Sequence, residues 1–287
     1  MHDKDAKTIL SAKNGMNLYR GCTHGCIYCD SRSTCYQMDH DFEDVEVKQN
    51  APALLDAALR AKRTPCMIGT GSMSDPYLPL ERELRLTRTC LELVERYGFG
   101  VTLITKSNLV LRDLDLLKRI NEKTKCVVQI TLTTYDETLC RIIEPNVCTT
   151  KERFETLKVL RDHNIPTVVW LCPILPFIND TEENLRGILG YCQDAGVFGI
   201  LCFGFGLTLR DGNRAYFYNK LDRYFPGLKQ KYSKMYGNSY SLESPNSPAL
   251  WRIFQEECTK NGILHDNHAL FSYLNEFPER FTQLRFF

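Results

Sequence analysis

Short apolar runs alternate along the chain with longer stretches in which apolar residues return every third or fourth position. The runs are MNLYR (16–20), CMIGT (66–70), VTLIT (101–105), CVVQITL (126–132), TVVWLC (167–172) and FGILCFG (198–204). Between them, APALLDAALRAK, LERELRLTRTCLELVERYG, LRDLDLLKRINEK, KERFETLKVLRDHN and TEENLRGILGYCQDAG carry the helical period. Two of these helices close on Tyr97-Gly98 and His163-Asn164; Thr181, with Asn184 and an acidic first turn, opens another. Six strands alternating with helices predict right-handed βαβ units and a parallel sheet. The strands are apolar along most of their length, as in a sheet covered on both faces or rolled into a barrel. A doubly wound sheet and a partial barrel fit this pattern equally. Either one gathers its chemistry at the C-terminal ends of the strands. The polar, glycine-rich segments RGCTHGCIYC, GTGSMSDPY, TKSN and TTYDE fall there.

The pattern changes after residue 208. Positions 210–240 hold seven basic and two acidic residues, interleaved with eight aromatics. SPNSP (244–248) breaks the chain, and the helical pattern returns at ALWRIFQEECTKNG. The expected organisation is a core over 14–208 and a C-terminal helical extension over 209–287 packed on it. Cations beside rings have the composition of a nucleic-acid surface. The competing reading is rings packed on the core under a solvated cationic face. Tyr216, Phe217 and Tyr218 are consecutive and cannot share one face of a helix.

With 43% hydrophobic residues in 287, the chain can bury a full core. A formal net charge of +1 offers no general attraction to nucleic acid or to a membrane surface. The start, MHDKDAKTIL, is not a secretory leader. The longest mostly apolar run, VVWLCPILPFI, carries two prolines and is too short to span a bilayer. A soluble cytoplasmic monomer with no membrane partner is therefore expected. Thirteen cysteines, an odd number, point to reduced thiols and not to a complete disulfide framework. Cys66, Cys126, Cys172 and Cys202 lie in apolar runs and are expected as small buried hydrophobes.

The segment GCTHGCIYC (21–29) is different: Cys22, Cys26 and Cys29 are tightly spaced, polar-flanked and separated by glycines. A closed zinc site needs four ligands, and Cys35 could serve as the fourth, although a second Cys-x-x-Cys pair is missing. A redox pair of Cys26 and Cys29 leaves Cys22 unexplained. An iron–sulfur cube held by all three leaves one iron open to a small molecule. Gly21 and Gly25 let the loop wrap closely. His24 is either a turn residue or a donor behind the thiols.

Cx3CxxC with an aromatic before the last Cys, directly after a first strand, resembles the radical S-adenosylmethionine (radical SAM) superfamily. NLYRGCTHGCIYC is similar to its spore photoproduct lyase-like branch, and so, in order, are SDPYLPLE, LITKSNLVLRDLDLL, IEPN and PTVVWLCPILPFIND, over roughly 14–210. The proteins of that branch borne on mobile elements are the nearest group suggested. The resemblance implies an α/β fold, a partial (β/α)6 TIM-type barrel. It implies a [4Fe-4S] cluster on Cys22, Cys26 and Cys29 that reductively cleaves S-adenosylmethionine. The resulting 5′-deoxyadenosyl radical abstracts hydrogen from a substrate that the sequence does not identify. An external one-electron reductant, flavodoxin- or ferredoxin-like, is implied as partner. By the same likeness Tyr28 lies against the adenine, and Gly69, Thr70, Gly71 and Ser72 receive the methionine amino group. Lys106 pairs with the methionine carboxylate, Thr131 and Thr133 take the ribose, and Ser74 is a further contact. Spore photoproduct lyase carries a hydrogen-donor cysteine just ahead of a Ser-Asp pair; here Met73 precedes Ser74-Asp75, and a thioether has no S–H to give. The lyase reaction proper is thus not expected. Two alternatives remain: a non-catalytic zinc-stabilised binding module, and a nucleic-acid repair or modification enzyme of the same chemistry. Trp170, Asn179, Asp180 and FGLTLRDGN are the candidates for substrate recognition.

Overall fold

The computed structural model describes residues 1–278. Its centre is a six-stranded, all-parallel sheet of Gly15–Met16, Met67–Thr70, Gly100–Thr105, Cys126–Thr131, Thr167–Trp170 and Gly199–Leu201, in chain order across the sheet. The strands follow one another in chain order with no reversal, and the two end strands are not paired, so the sheet is singly wound, a partial barrel. That resolves the ambiguity in the sequence pattern. The strand interiors are buried as predicted, with Val101, Leu103, Val128, Ile130 and Val169 fully enclosed.

The first strand is shorter than its apolar run. Tyr19 and Arg20 leave the barrel and pair antiparallel with Glu46–Val47, which pairs parallel with His2–Asp3 in a separate small sheet. The run therefore serves two sheets, and the cysteine loop starts from the second one.

The helices sit where the period places them: Ala51–Ala61, Leu114–Lys123, Thr150–Asp162 and Glu182–Ala195. Thr181 caps the last by accepting from Asn184 N, and a reciprocal Thr149–Glu152 box opens the helix before it. The stretch 80–98 is two helices, Glu81–Leu84 and Leu86–Tyr97, broken at Arg85 with φ 51°. The cause is Glu81: its buried carboxylate accepts from the Thr87 amide (2.8 Å) and from the Tyr19 hydroxyl, so the chain folds inward there. The short helix Glu137–Ile143 has too few residues for a periodic signal and was not expected.

Beyond the sixth strand, Gly206–Thr208 forms an antiparallel hairpin with Ser241–Glu243, which encloses helices Asn213–Tyr224 and Leu228–Tyr236. Phe217, Leu221, Tyr232 and Leu242 are buried in one cluster with Ile27, Tyr28 and Ile143, so this part packs behind the cysteine loop. Ser247–Lys260 lies along Glu182–Ala195, where Arg186 meets Glu257 at 2.6 Å. Asn267–Asn275 places Leu270 and Leu274 among Val127, Val168 and Leu201. The final residues of the expected extension, 279–287, lie outside the described residues. No helix among the described residues is long and apolar enough to cross a membrane.

Candidate active site

The cysteine loop is held by segments distant in sequence. Gly21 has φ 90°, and a Cβ there would sit 2.5 Å from the Phe42 carbonyl oxygen. Gly25 has φ 72°, and its Cβ would press on Pro145 and Asn146. Both positions need glycine, by backbone angle and by space. Asn146 donates its side-chain amide to the Thr23 carbonyl (2.9 Å) and its backbone amide to that of His24 (3.1 Å). Ser74 donates to the Gly21 carbonyl (2.6 Å), and Ile27 N to that of Ile143 (3.0 Å). IEPN and SDPY are thus the two clamps of the loop.

All three thiols are free, with Cys26 buried and Cys22 and Cys29 partly so. Burial pushes the Cys22 thiol up to about 12 and Cys26 well above the ordinary thiol range, so a thiolate there needs a compensating cation. Around one tetrahedral zinc, with Zn–S of about 2.3 Å, sulfurs would lie about 3.8 Å apart. Among the described residues the only three-residue set of His, Cys, Asp or Glu donors within 4.8 Å of one another is His2, His40 and Asp44. The thiols do not converge on one ion. Cys35 is exposed and accepts from the Arg210 guanidinium at 3.4 Å, so it is committed elsewhere. Three separated thiolates without a fourth fit a cube in which each takes a different iron, and do not fit a closed zinc site.

A cavity of about 640 Å³ opens at the C-terminal ends of the strands, against Cys29. Tyr28, Gly71, Ser72, Lys106 and Thr131 lie on its wall. Gly71 is the glycine that matters in GTGS: with φ 97°, its Cβ would fall 2.0 Å from the Ile104 carbonyl oxygen. Gly69 and Thr70 belong to the second strand and are not on the wall. Nor are Ser74, which is spent on Gly21, and Thr133. The fourth strand ends at Thr131, so strand alternation no longer governs Thr133; its hydroxyl donates to Glu144 at 3.2 Å.

Lys106 is placed by Asp75, which accepts from Lys106 N (2.8 Å) and from the Thr105 hydroxyl (2.7 Å). The Asp75 carboxylate also lies 3.5 Å from His24 Nδ1, tying the end of the third strand to the cysteine loop. The Lys106 ammonium is partly buried. Burial alone would lower its pKa, but Cys26 and Glu144 more than offset that and hold it charged. Its Nζ lies 5.8 Å from the centre of the Tyr28 ring.

Several residues of the site escaped the sequence reading. Glu144, fully buried, accepts from the Tyr28 hydroxyl, from Thr133 and from the buried Arg153 guanidinium. Burial pushes the Glu144 carboxyl up, yet Arg153 and Lys106 hold it below the ordinary carboxylate range. Arg153 in turn donates to the carbonyls of Thr131 and Cys148, both at 3.0 Å. IEPN carried the only available signal for Glu144; Arg153 looks in sequence like any basic helix residue. Cys172, expected as a buried hydrophobe, is half-buried on the cavity wall. Cys66 is half-buried as well, while Cys126 and Cys202 are buried as expected. Of the recognition candidates, Trp170 and Phe205–Thr208 line the cavity. Asn179 and Asp180 do not: Asn179 bonds Leu175 N and the Thr133 carbonyl, and Asp180 accepts from Ser244. Part of the basic-aromatic stretch is committed internally, while Arg223, Lys231 and Lys234 are exposed. Arg214 donates to the carbonyls of Leu209 and Ser239, Lys229 pairs with Asp222 (2.5 Å), and Arg32 stacks on Tyr216 at 3.8 Å.

Residues 16–187, more than half of the chain, match the sequence model of the Radical SAM superfamily. An uncharacterized protein of Mycobacterium tuberculosis is 31% identical over 77% of this chain and 66% of its own length. One of Methanocaldococcus jannaschii is 33% identical over 61% of this chain and 65% of its own. The chain thus spans just under two thirds of the length of these relatives. Spore photoproduct lyase complexed with dinucleoside spore photoproduct superposes with a TM-score of 0.58 at 15% identity, over 85% of this chain and 72% of that one. At that identity the likeness is one of fold. The sequence match over residues 16–187, on this partial barrel, makes the protein a member of the radical SAM superfamily.

Proposed function

We propose that Cys22, Cys26 and Cys29 hold the [4Fe-4S] cluster and that the 640 Å³ cavity receives S-adenosylmethionine and, beyond it, the substrate. The observation that carries this reading is Lys106: a partly buried, charged ammonium that reaches the cavity and for which no hydrogen bond or direct ion pair is found among the described residues. An ammonium facing a cavity with no direct partner in the chain is placed to take a ligand's carboxylate in a charge-assisted hydrogen bond. When bound, the cofactor pair supplies a reductive cleavage of S-adenosylmethionine that yields a hydrogen-abstracting radical. The chain's own residues hold and orient. Lys106 pairs with the methionine carboxylate, and the backbone at Gly71 and Ser72 faces the amino group. Tyr28, fixed by Glu144, offers its ring to the adenine, and Thr131 offers a hydroxyl to the ribose. An external one-electron reductant of flavodoxin or ferredoxin type is the partner.

The rest of the cavity is walled by Trp170, Phe203, Phe205 and Trp251. Flat rings of this kind favour a substrate with a planar or apolar portion. A nucleic-acid repair or modification reaction of the same chemistry is the second reading, because rings stack on unpaired bases. Met73 is not on the wall.

The test is anaerobic reconstitution followed by dithionite and S-adenosylmethionine. Four irons per chain, a brown protein and release of 5′-deoxyadenosine are expected. A colourless protein that takes up zinc on Cys22, Cys26, Cys29 and Cys35 and releases no 5′-deoxyadenosine would establish the binding-module alternative instead.

A further inference from the structure

A second cluster of ligating groups lies outside the cavity, on the small sheet that launches the cysteine loop. One donor atom from each of His2, His40 and Asp44 falls within 4.8 Å of the other two. His2 Nδ1 is 2.9 Å from Asp44 Oδ2, and the rings of His2 and His40 meet edge to face with centroids 4.8 Å apart. The Met1 amino group occupies the other carboxylate oxygen of Asp44.

His40 makes the arrangement informative. Its Nδ1 is 3.0 Å from the Asp41 carbonyl oxygen. A carbonyl only accepts, so Nδ1 carries the hydrogen, and Nε2 is the ring atom left to present a lone pair to a metal. That Nε2 is buried and has no hydrogen-bond partner. The nearest charged group is the Glu46 carboxylate, 3.8 Å away and already bonded to Lys4 Nζ at 2.9 Å. Both carboxylates have cationic partners, the Met1 amino group on Asp44 and Lys4 on Glu46, so the His40 Nε2 is the unmatched atom of the cluster. An imidazole oriented by donating its far N–H to a backbone carbonyl, with two further nitrogen and oxygen donors at hand, is how metal-binding histidines are held.

We propose that His2, His40 and Asp44 bind a single zinc ion. Two imidazoles and a carboxylate are a donor set that zinc accepts, with ligand bonds of about 2.0–2.2 Å. The present separations close by rotation of the His2 and Asp44 side chains, both of which are partly exposed. The ion clamps strand His2–Asp3 to the segment 40–47. That segment also supports the cysteine loop, since Phe42 accepts from Cys22 N at 2.9 Å. With three protein ligands the ion keeps a fourth position for water, and the site is separate from the iron–sulfur ligands.

The test uses the reconstituted protein, whose cluster thiols are occupied. It is equilibrated with micromolar zinc, desalted, and assayed for zinc and iron in the same sample. The wild type should retain one zinc per chain; His40→Ala and Asp44→Asn should lose it at unchanged iron. Zinc should also raise the thermal midpoint of the wild type and leave that of both variants unmoved. Equal zinc in all three proteins would assign it to spare thiols and overturn the proposal, as would absence of zinc from the wild type. Asp44→Asn preserves shape, so a folding defect in His40→Ala does not blur the outcome. Iron content reports the cluster separately, so this site and the active-site reading fail independently.

Discussion

In the barrel mouth, the partly buried Lys106 ammonium stands near the Tyr28 ring on the wall of a cavity; in the C-terminal extension, the exposed Lys231 stands over the Phe177 ring at 3.6 Å. Both regions combine cations with aromatic rings, and sequence alone ranks the extension as the richer of the two. Structure reverses the ranking. Lys229 pairs with Asp222, Arg214 donates to four backbone carbonyls, and Arg210 donates to the Tyr240 hydroxyl and lies 3.5 Å from Asp30, while Phe217 and Tyr232 are core. A binding site is marked by a charge held partly buried in a cavity, and not by the number of charges in a segment.

The comparison breaks most completely at the cluster ligands. Cys26→Ala should abolish both iron loading and 5′-deoxyadenosine formation, while Cys35→Ala, altering an exposed thiol, should leave both intact. The opposite result would move the ligand set to the surface beside the extension.

The next largest effect is on stability. Glu144 and Arg153 are both fully buried, so Glu144→Gln leaves an uncompensated guanidinium and should cost about 3–5 kcal/mol in urea unfolding of the apoprotein. The Glu144 carboxyl is held below its ordinary range in the folded protein. Its contribution is therefore complete above the unfolded-state pKa and lost as pH falls through the lower, folded one. The gap between wild type and variant should narrow on acidification. A gap that widened would show that Glu144 is protonated in the fold.

Lys106→Ala should leave iron unchanged and weaken S-adenosylmethionine binding. A charge-assisted hydrogen bond is worth about 1.5–3 kcal/mol. That is a rise of roughly 10- to 150-fold in the dissociation constant by calorimetric titration. An unchanged affinity would place Lys106 with the solvated cations of the extension.

The smallest effect is expected in the extension itself. Each phosphate contact to a single strand steepens the salt dependence of log affinity by about 0.7. With Lys229 paired to Asp222 and Arg210 and Arg214 bonded within the extension, a labelled single strand should show a slope near zero that Lys229→Ala with Lys231→Ala does not change. A slope of several units, moderated by that double variant, would restore the stretch as a polyanion surface.

Sequence by itself determined the frame. Alternating runs specified six parallel strands because burial on both faces demands continuous apolar segments, and helical period specified what lies between them. Three cysteines within eight residues specified a shared loop, because so short a chain cannot separate them. Gly21, Gly25 and Gly71 stand where the backbone has positive φ and no room for a Cβ. Tertiary structure alone decided the rest. It closed the sheet into a partial barrel, split MNLYR between two sheets and broke the helix at Arg85 through the buried Glu81. It brought Glu144 to Arg153 and Tyr28, set Cys172 on the cavity wall, and joined His2 to His40 and Asp44. Periodicity and spacing are properties of neighbours along the chain, and so they survive in a sequence. Whether a charge or a lone pair finds its partner depends on residues tens of positions away, and only the folded chain brings those within reach.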